Sequence, residues 1–419
     1  MAASTLAQAL EPVAVGFDEL EAEYKPMLKL VEQLIGVVPN HERYFAIWHP
    51  GFRTMNLLVP NLLNLPAALF GQGAPKDLVG LVMYASSFAA GCMYCTAHSC
   101  SFALRRGIDP ETLAGNHGAP ESAVYQLATV LGHVPSDIIR SDITDLEKHF
   151  DADDIEWFVL AAGLMGFLNK FMDSMGMQLE DNTIADVQDL IAPLGWTPGQ
   201  HKWDEERVES NEEVPVDSIR TYARVIRQAP GAVRTEGKWT KGLSGQTGRA
   251  LMALEDHAGY AFPILASLRH SKAVKAIAAA LRENLTPETS EIGMGAKCLA
   301  GLVYARVADN EMLSAEMIMV AQNLAPDLPF DTLVSVGLWA EDPTNERPLP
   351  DGLDRLQAAT VMLAKSAATS PTSMTEISVQ LATERLTPPQ IIETVTWLAV
   401  CQLLNRLYAF YDARIGLTV

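Results

Sequence analysis

Cysteine is scarce in this chain of 419 residues. There are five, and three of them, Cys92, Cys95 and Cys100, crowd one short stretch while Cys298 and Cys401 stand alone. An odd, clustered set excludes the disulfide framework of a small secreted domain. Basic residues are also few: Lys plus Arg is 31 against 51 Asp plus Glu, a net charge of −20. A nucleic-acid binder needs the opposite balance, because its affinity comes from neutralising phosphates. No Lys or Arg precedes Lys25, and positions 1–23 lack a sustained apolar core. Neither a secretory signal nor an Arg-rich transit peptide is expected there, and the cytoplasm is the default compartment. Period-2 alternation bounded by hairpin signals is missing too, which leaves an all-α fold.

What is present fits a folded protein of two or three domains, with 48% hydrophobic and 20% charged residues. Leu78 to Leu104 carries no charged side chain and is long enough to cross a bilayer. Its serines, Thr96, His98 and the interrupting Gly91 predict two buried helices instead. Asp109-Pro110-Glu111, Thr286-Pro287-Glu288 and Thr387-Pro388-Pro389 have the cap-then-proline form of helix starts. Trp157 to Leu168 and Val395 to Leu404 are apolar nearly all round, which predicts central core helices.

From Thr197 to about Gly245 the acidic residues Asp204, Glu205, Glu206, Glu209, Glu212 and Glu213 crowd a Pro- and Gly-punctuated region without a clear apolar stripe. The reading is a linker over 197–245 between domains at 20–196 and 246–419. Glu341 to Asp354 reads as a loop in the second domain. Ala90-Gly91-Cys92-Met93-Tyr94-Cys95 aligns with Ala300-Gly301-Leu302-Val303-Tyr304-Ala305, and Leu168-Asn169-Lys170-Phe171 with Leu404-Asn405-Arg406-Leu407, in preserved order. That predicts an internal duplication whose second copy has lost the thiols.

The chemistry concentrates in Gly91-Cys92-Met93-Tyr94-Cys95-Thr96-Ala97-His98. On a helix Cys92, Cys95 and His98 follow one another at about 60° around the axis. Cys95 then sits between a partner thiol and an imidazole, and a helix N-terminus with a neighbouring His lowers a thiol pKa. Cys95 is the better nucleophile on spacing. The competing readings are buried structural cysteines and a zinc site completed by Cys100, the latter disfavoured by the rotation of Cys100 away from Cys95.

Other features carry less. Gly231 to Gly237-Lys238 misses the phosphate-loop spacing, and Gly242-Leu243-Ser244-Gly245 misses the nucleophile elbow by one residue. His49 and His257 read as structural histidines. The acidic run from Asp142 to Glu156 reads as a solvated face, and Met165, Met172, Met175 and Met177 as core filler.

The Gly-Cys-x-Tyr-Cys-x-x-His element, Phe102-Ala103-Leu104-Arg105-Arg106-Gly107 after it, and the helix ending Gly166-Phe167-Leu168-Asn169-Lys170-Phe171-Met172-Asp173 together resemble the alkylhydroperoxidase D and carboxymuconolactone decarboxylase-like proteins. The likeness covers roughly residues 40 to 195 and weakens over 250 to 419. It implies two tandem helical bundles forming a pseudo-dimer within one chain, and a thiol-dependent hydroperoxide or disulfide reductase. In that reading Cys95 attacks, Cys92 resolves and His98 relays the proton, with no metal or organic cofactor. A small-molecule peroxide or disulfide and a thiol reductant are the implied partners, with no nucleic acid, no membrane, and possible homo-oligomers. The family places its relay His where Ser99 stands, and a Glu where Gly80 stands; Asp77, one turn earlier, is the candidate replacement. Two further readings keep the fold: a non-catalytic binding or scaffold protein, and a cofactor-free lyase or decarboxylase acting on a lactone-type acid.

Overall fold

A computed structural model describes residues 3–20, 24–204, 206–211, 213–342 and 347–416, and every regular element among them is helical. Glu205 and Glu212 of the acidic region, residues 21–23 and part of the Glu341–Asp354 loop lie outside the described residues. The first half contains α1 (Leu6–Leu10), α2 (Lys25–Ile35), α3 (His41–Phe45), α4 (His49–Leu62), α5 (Lys76–Ala89), α6 (Met93–Arg105), α7 (Pro110–Leu113), α8 (Ala119–Gly132), α9 (Arg140–Glu147), α10 (Ala152–Met175) and α11 (Asp181–Ile191). After α12 (Ile219–Trp239) come α13 (Thr247–Ala258), α14 (Ser271–Asn284), α15 (Gly293–Val307), α16 (Glu311–Leu324), α17 (Phe330–Ala340), α18 (Arg355–Ala368), α19 (Glu376–Arg385) and α20 (Pro388–Ile415).

Two long helices form the centre. Asp151 caps α10 by accepting the N–H groups of Asp153 and Asp154, and Gly176 in the left-handed region ends it. In α20 the Thr387 capping box with Gln390 and Pro388 at the first turn do the same work. Both helices are apolar nearly all round because neighbours cover every face. Helix α10 is long and apolar enough to cross a membrane, but 94% of its most apolar window is buried inside the fold. It packs along α20, and α4 packs along α14, so the two halves share one core.

The element order repeats. Ala119, Arg140 and Ala152 open α8, α9 and α10, and Arg355, Glu376 and Pro388, each 236 residues further on, open α18, α19 and α20. Lys170 and Arg406 stand at the same offset, and each crosses to the other half. The Lys170 ammonium donates to the carbonyls of Ala367 at 2.6 Å, Ala368 at 2.9 Å and Thr369 at 2.5 Å, at the end of α18. Arg406 donates to Gly132 O at 3.2 Å, at the end of α8, to Ala162 O at 2.7 Å and to Ser86 Oγ. The orphan carbonyls of each helix end are thus satisfied by a cation from across the interface. Gly166 makes room for this, since a Cβ there would lie 2.9 Å from Arg406 Cδ.

The second-copy register differs from the sequence alignment. Ala300 to Ala305 lies inside α15, whereas Ala90 to Cys95 spans the break between α5 and α6. The matching break is at Asp309 and Asn310. Gly91 has φ 72° and Asp309 φ 52°; Cys92 and Asn310 are the next N-caps, each accepting an N–H three residues on. With the two caps superposed, Leu313 and Glu316 fall at the offsets of Cys95 and His98 from the cap, whereas the letter alignment sets Ala305 against Cys95. The letters Ala-Gly-x-x-Tyr matched, but the cap is what defines the position.

The expected linker is also partly structured. Helix α12 occupies Ile219–Trp239, is opened by a Ser218 capping box, and lays Val225, Ala232, Thr235 and Trp239 against the fold beside α2. Pro230 and Gly231 interrupt the pattern without ending the helix, and the Gly231 to Lys238 segment is helical. Thr286-Pro287-Glu288 opens a single 3-10 turn instead of an α-helix, because the Glu393 carboxylate of α20 takes the N–H groups of Glu291 and Ile292. Glu156 departs from the solvated face: it is buried and accepts the N–H groups of Arg269 and His270.

Candidate active site

Gly91 breaks the chain between α5 and α6, and this turn sets the positions of the thiols. Cys92 is the N-cap of α6, with its Sγ accepting the Cys95 N–H at 3.4 Å. The Cys95 thiol in turn hydrogen-bonds to Cys92. Cys92 is sealed, while Cys95 is 3% exposed and forms part of the wall of a cavity of about 90 Å³. His98 and Ser99 line the same cavity, together with His41 and Glu42 from α3, Asn56 from α4 and Tyr94 from α6. The remaining wall is apolar, with Leu34 and Ile35 of α2 and Met165, Leu168 and Met172 of α10 among it. Two of the four expected filler methionines are thus cavity residues.

The carboxylate of this site is Glu180, just before α11. Its Oε2 is 2.7 Å from His98 Nε2, and its Oε1 accepts from Tyr94 Oη at 3.1 Å and the Asn40 N–H at 2.5 Å. Burial raises this carboxyl, but the His98 charge and hydrogen bond with the Asn40 N–H outweigh it and hold Glu180 below the usual carboxylate range. With Glu180 ionised and taking the Tyr94 proton, the Tyr94 oxygen accepts from His41 Nδ1 at 3.3 Å. His41 Nε2 is then a bare acceptor, and it has no hydrogen-bond partner among the described residues. Burial pushes His41 down to about 3, which keeps it neutral. Beside it Glu42 Oε2 accepts from Asn56 Nδ2 at 3.0 Å, whereas Oε1 has no partner. Burial raises Glu42 to about 7.

Three expectations change. Burial first, then the Cys92 thiol, push Cys95 well above its ordinary value, so the expected lowering by helix and imidazole is absent. The helix N-terminus is at Cys92, and His98 turns to Glu180 and packs against the Tyr94 ring at 4.6 Å, tilted by 41°. Ser99 contacts only Met165 Sδ, at 4.0 Å, among its hydrogen-bond partners. Asp77 is not in the site. Gly80 touches Ala103, two turns of α6 or about 12 Å beyond Cys95, and Asp77 lies a further turn away, at the first turn of α5. A carboxylate at position 80 has no space, since a Cβ there would sit 2.8 Å from Ala103 Cβ. His49, bonded to Tyr24 Oη at 2.6 Å, and His257, bonded to Thr286 Oγ1 at 3.1 Å, are structural.

No family model matches the chain, and no curated protein does. Among solved structures the chain is similar to the debrominase Bmp8 in complex with 2,3,4-tribromopyrrole, at 19% identity and a TM-score of 0.37, covering 40% of this chain and 91% of that one. For apo Bmp8 the values are 19%, 0.31, 42% and 91%.

Proposed function

We propose that the chain is a thiol-dependent reductase of hydroperoxides or small disulfides, with Cys95 as the attacking sulfur and Cys92 as the resolving one. The observation that carries this reading is the unequal placement of two bonded thiols: one on a cavity wall, the other sealed behind it at the cap of α6. A substrate in the cavity reaches Cys95 first, and the sulfenic acid formed there has Cys92 beside it. Because burial holds the Cys95 proton, that proton leaves as the sulfur attacks. The His98–Glu180 pair on the same cavity is the acceptor, the other ring nitrogen of His98 taking the proton while Nε2 stays hydrogen-bonded to Glu180.

The second half, with Asn310, Leu313 and Glu316 at the corresponding positions, contributes no dithiol. Its part is the packing surface of an internal pseudo-dimer and the Arg406 guanidinium, whose charge acts on both thiols. A separate thiol reductant restores the dithiol.

The test is intact mass and free-thiol count of the reduced protein before and after a slight excess of an organic hydroperoxide. The expected result is loss of two thiols and about 2 Da, abolished in Cys95→Ser, with a sulfenic acid trapped at Cys95 in Cys92→Ser. Persistence of both thiols with peroxide unconsumed refutes the reading.

A further inference from the structure

The unpartnered Glu42 Oε1 and His41 Nε2 both belong to residues on the cavity wall, 3.9 Å apart. Buried polar atoms without partners are uncommon and costly, and here they form a pair of unlike kind. His41 Nε2 can only accept, because its other nitrogen is the donor to Tyr94. Glu42, when protonated, donates. A head group whose terminal O–H gives its hydrogen to His41, while an oxygen of the same group accepts that of Glu42, satisfies both; in a hydroperoxide these are the distal and the inner oxygen. No Lys or Arg is among the lining residues, and the rest of the wall is largely apolar. His98 is already paired with Glu180, so a charged ligand would enter without a free counter-ion.

We propose that this cavity binds an uncharged molecule with a small apolar body and one hydroxyl-type head group, and that Glu42 is the proton donor to the oxygen that leaves when Cys95 attacks. The assignment of the proton transfer rests on the reductase reading; the head-group site does not. For a hydroperoxide, the Cys95 sulfur forms a bond to the distal oxygen as the O–O bond breaks. The electron pair of that bond goes to the alkoxide oxygen, which takes the Glu42 proton and leaves as alcohol. The Cys95 proton passes to His98. Cys92 then displaces hydroxide from the sulfenic sulfur, the His98 proton completes water, and the Cys92 proton returns to Glu42. The peroxide is reduced by two electrons and the two thiols become a disulfide. Burial raises Glu42 to about 7, which keeps a donor proton available near neutral pH. At about 90 Å³ the cavity is smaller than the roughly 150 Å³ hole that admits benzene, so the expected substrate is compact.

The experiment uses the full chain with labelled methionine methyl groups, since Met55, Met83, Met165 and Met172 line the cavity. Cys95→Ser, which cannot react, is titrated with ethyl hydroperoxide and, separately, with propionate. Saturable shifts of these methyls with the hydroperoxide, none with propionate, and at least tenfold weaker binding in Cys95→Ser/Glu42→Leu are expected. In the protein with both thiols, Glu42→Gln is expected to slow Cys95 oxidation at least tenfold while leaving its alkylation by iodoacetamide unchanged. Absence of saturable shifts, or equal response to propionate, overturns the site. Oxidation of Glu42→Gln at the wild-type rate overturns the donor role. Saturable binding at Glu42 with no Cys95 oxidation in wild type refutes the reductase reading and leaves the head-group site standing.

Discussion

Cys92 Sγ accepts the Cys95 N–H at 3.4 Å, so the first thiol of the motif is the cap of α6 and the second lies within it. Serine is a good cap and alanine is not. Cys92→Ser is expected to stay within about 0.5 kcal/mol of wild type and Cys92→Ala to lose about 1 kcal/mol. Urea denaturation of the reduced proteins measures this, and equal losses in the two variants would show that the sulfur has no capping role.

Lys170 and Arg406 carry one structural device in both directions across the shared core. Removing Arg406 strands buried acceptors at the end of α8 and in α10; removing Lys170 strands those at the end of α18. Arg406→Met and Lys170→Met are each expected to destabilise the protein by about 3 kcal/mol or more. Burial lowers Lys170 from its ordinary 10.5 to about 7, so the folded chain holds this proton less tightly than the unfolded one; wild type gains on Lys170→Met as pH rises above 7, and this loss is expected to be larger at pH 8 than at pH 6. A two-step unfolding curve in which only one half shifts would contradict the reciprocal arrangement.

The helical class, the break at Gly91 and the two core helices were legible because each is a local pattern: spacing, a glycine in a turn, an apolar run. Glu180, His41, Tyr94 and Glu42 were missed as a group because their meeting is tertiary. Glu180 follows α10 and His41 precedes α4, and no spacing in the sequence joins them. The only available signal was Tyr94 inside the motif itself. The lowered thiol expected at Cys95 failed for the same reason, since burial is set by α2, α4 and α10, not by the eight residues of the motif. In the second half, letter identity pointed to α15, whereas the break that resembles the one at Gly91 is the Asn310 cap of α16.

Gly80 is a packing contact, so restoring a carboxylate there is expected to harm the protein. Its added Cβ would meet Ala103 Cβ at 2.8 Å and Cα at 2.9 Å, backbone that cannot swing aside. Gly80→Glu is expected to cost at least about 3 kcal/mol and to bring no gain in peroxide consumption. Asp77→Asn, remote from the thiols, is expected to leave consumption unchanged. A gain in Gly80→Glu, or a tenfold loss in Asp77→Asn, would return the α5 carboxylate to the site.

Glu42 gives the stability curve a definite sign. Its carboxyl rises from an ordinary 4.5 to about 7 on folding, so the folded chain holds this proton more tightly than the unfolded one. The stabilisation is complete below 4.5 and is lost as pH rises through 7, by about 3 kcal/mol at most. His41 and Glu316 titrate over the same range: His41, lowered to about 3, acts in the opposite sense, and Glu316, raised to about 7, acts in the same one. The quantity to measure is therefore the difference between wild type and Glu42→Gln at each pH. Wild type is expected to lose ground to Glu42→Gln steadily between pH 4.5 and 8, by urea denaturation at constant ionic strength. A difference that does not change with pH would mean that Glu42 keeps its ordinary affinity for the proton, and it would then be ionised, and no donor, at neutral pH.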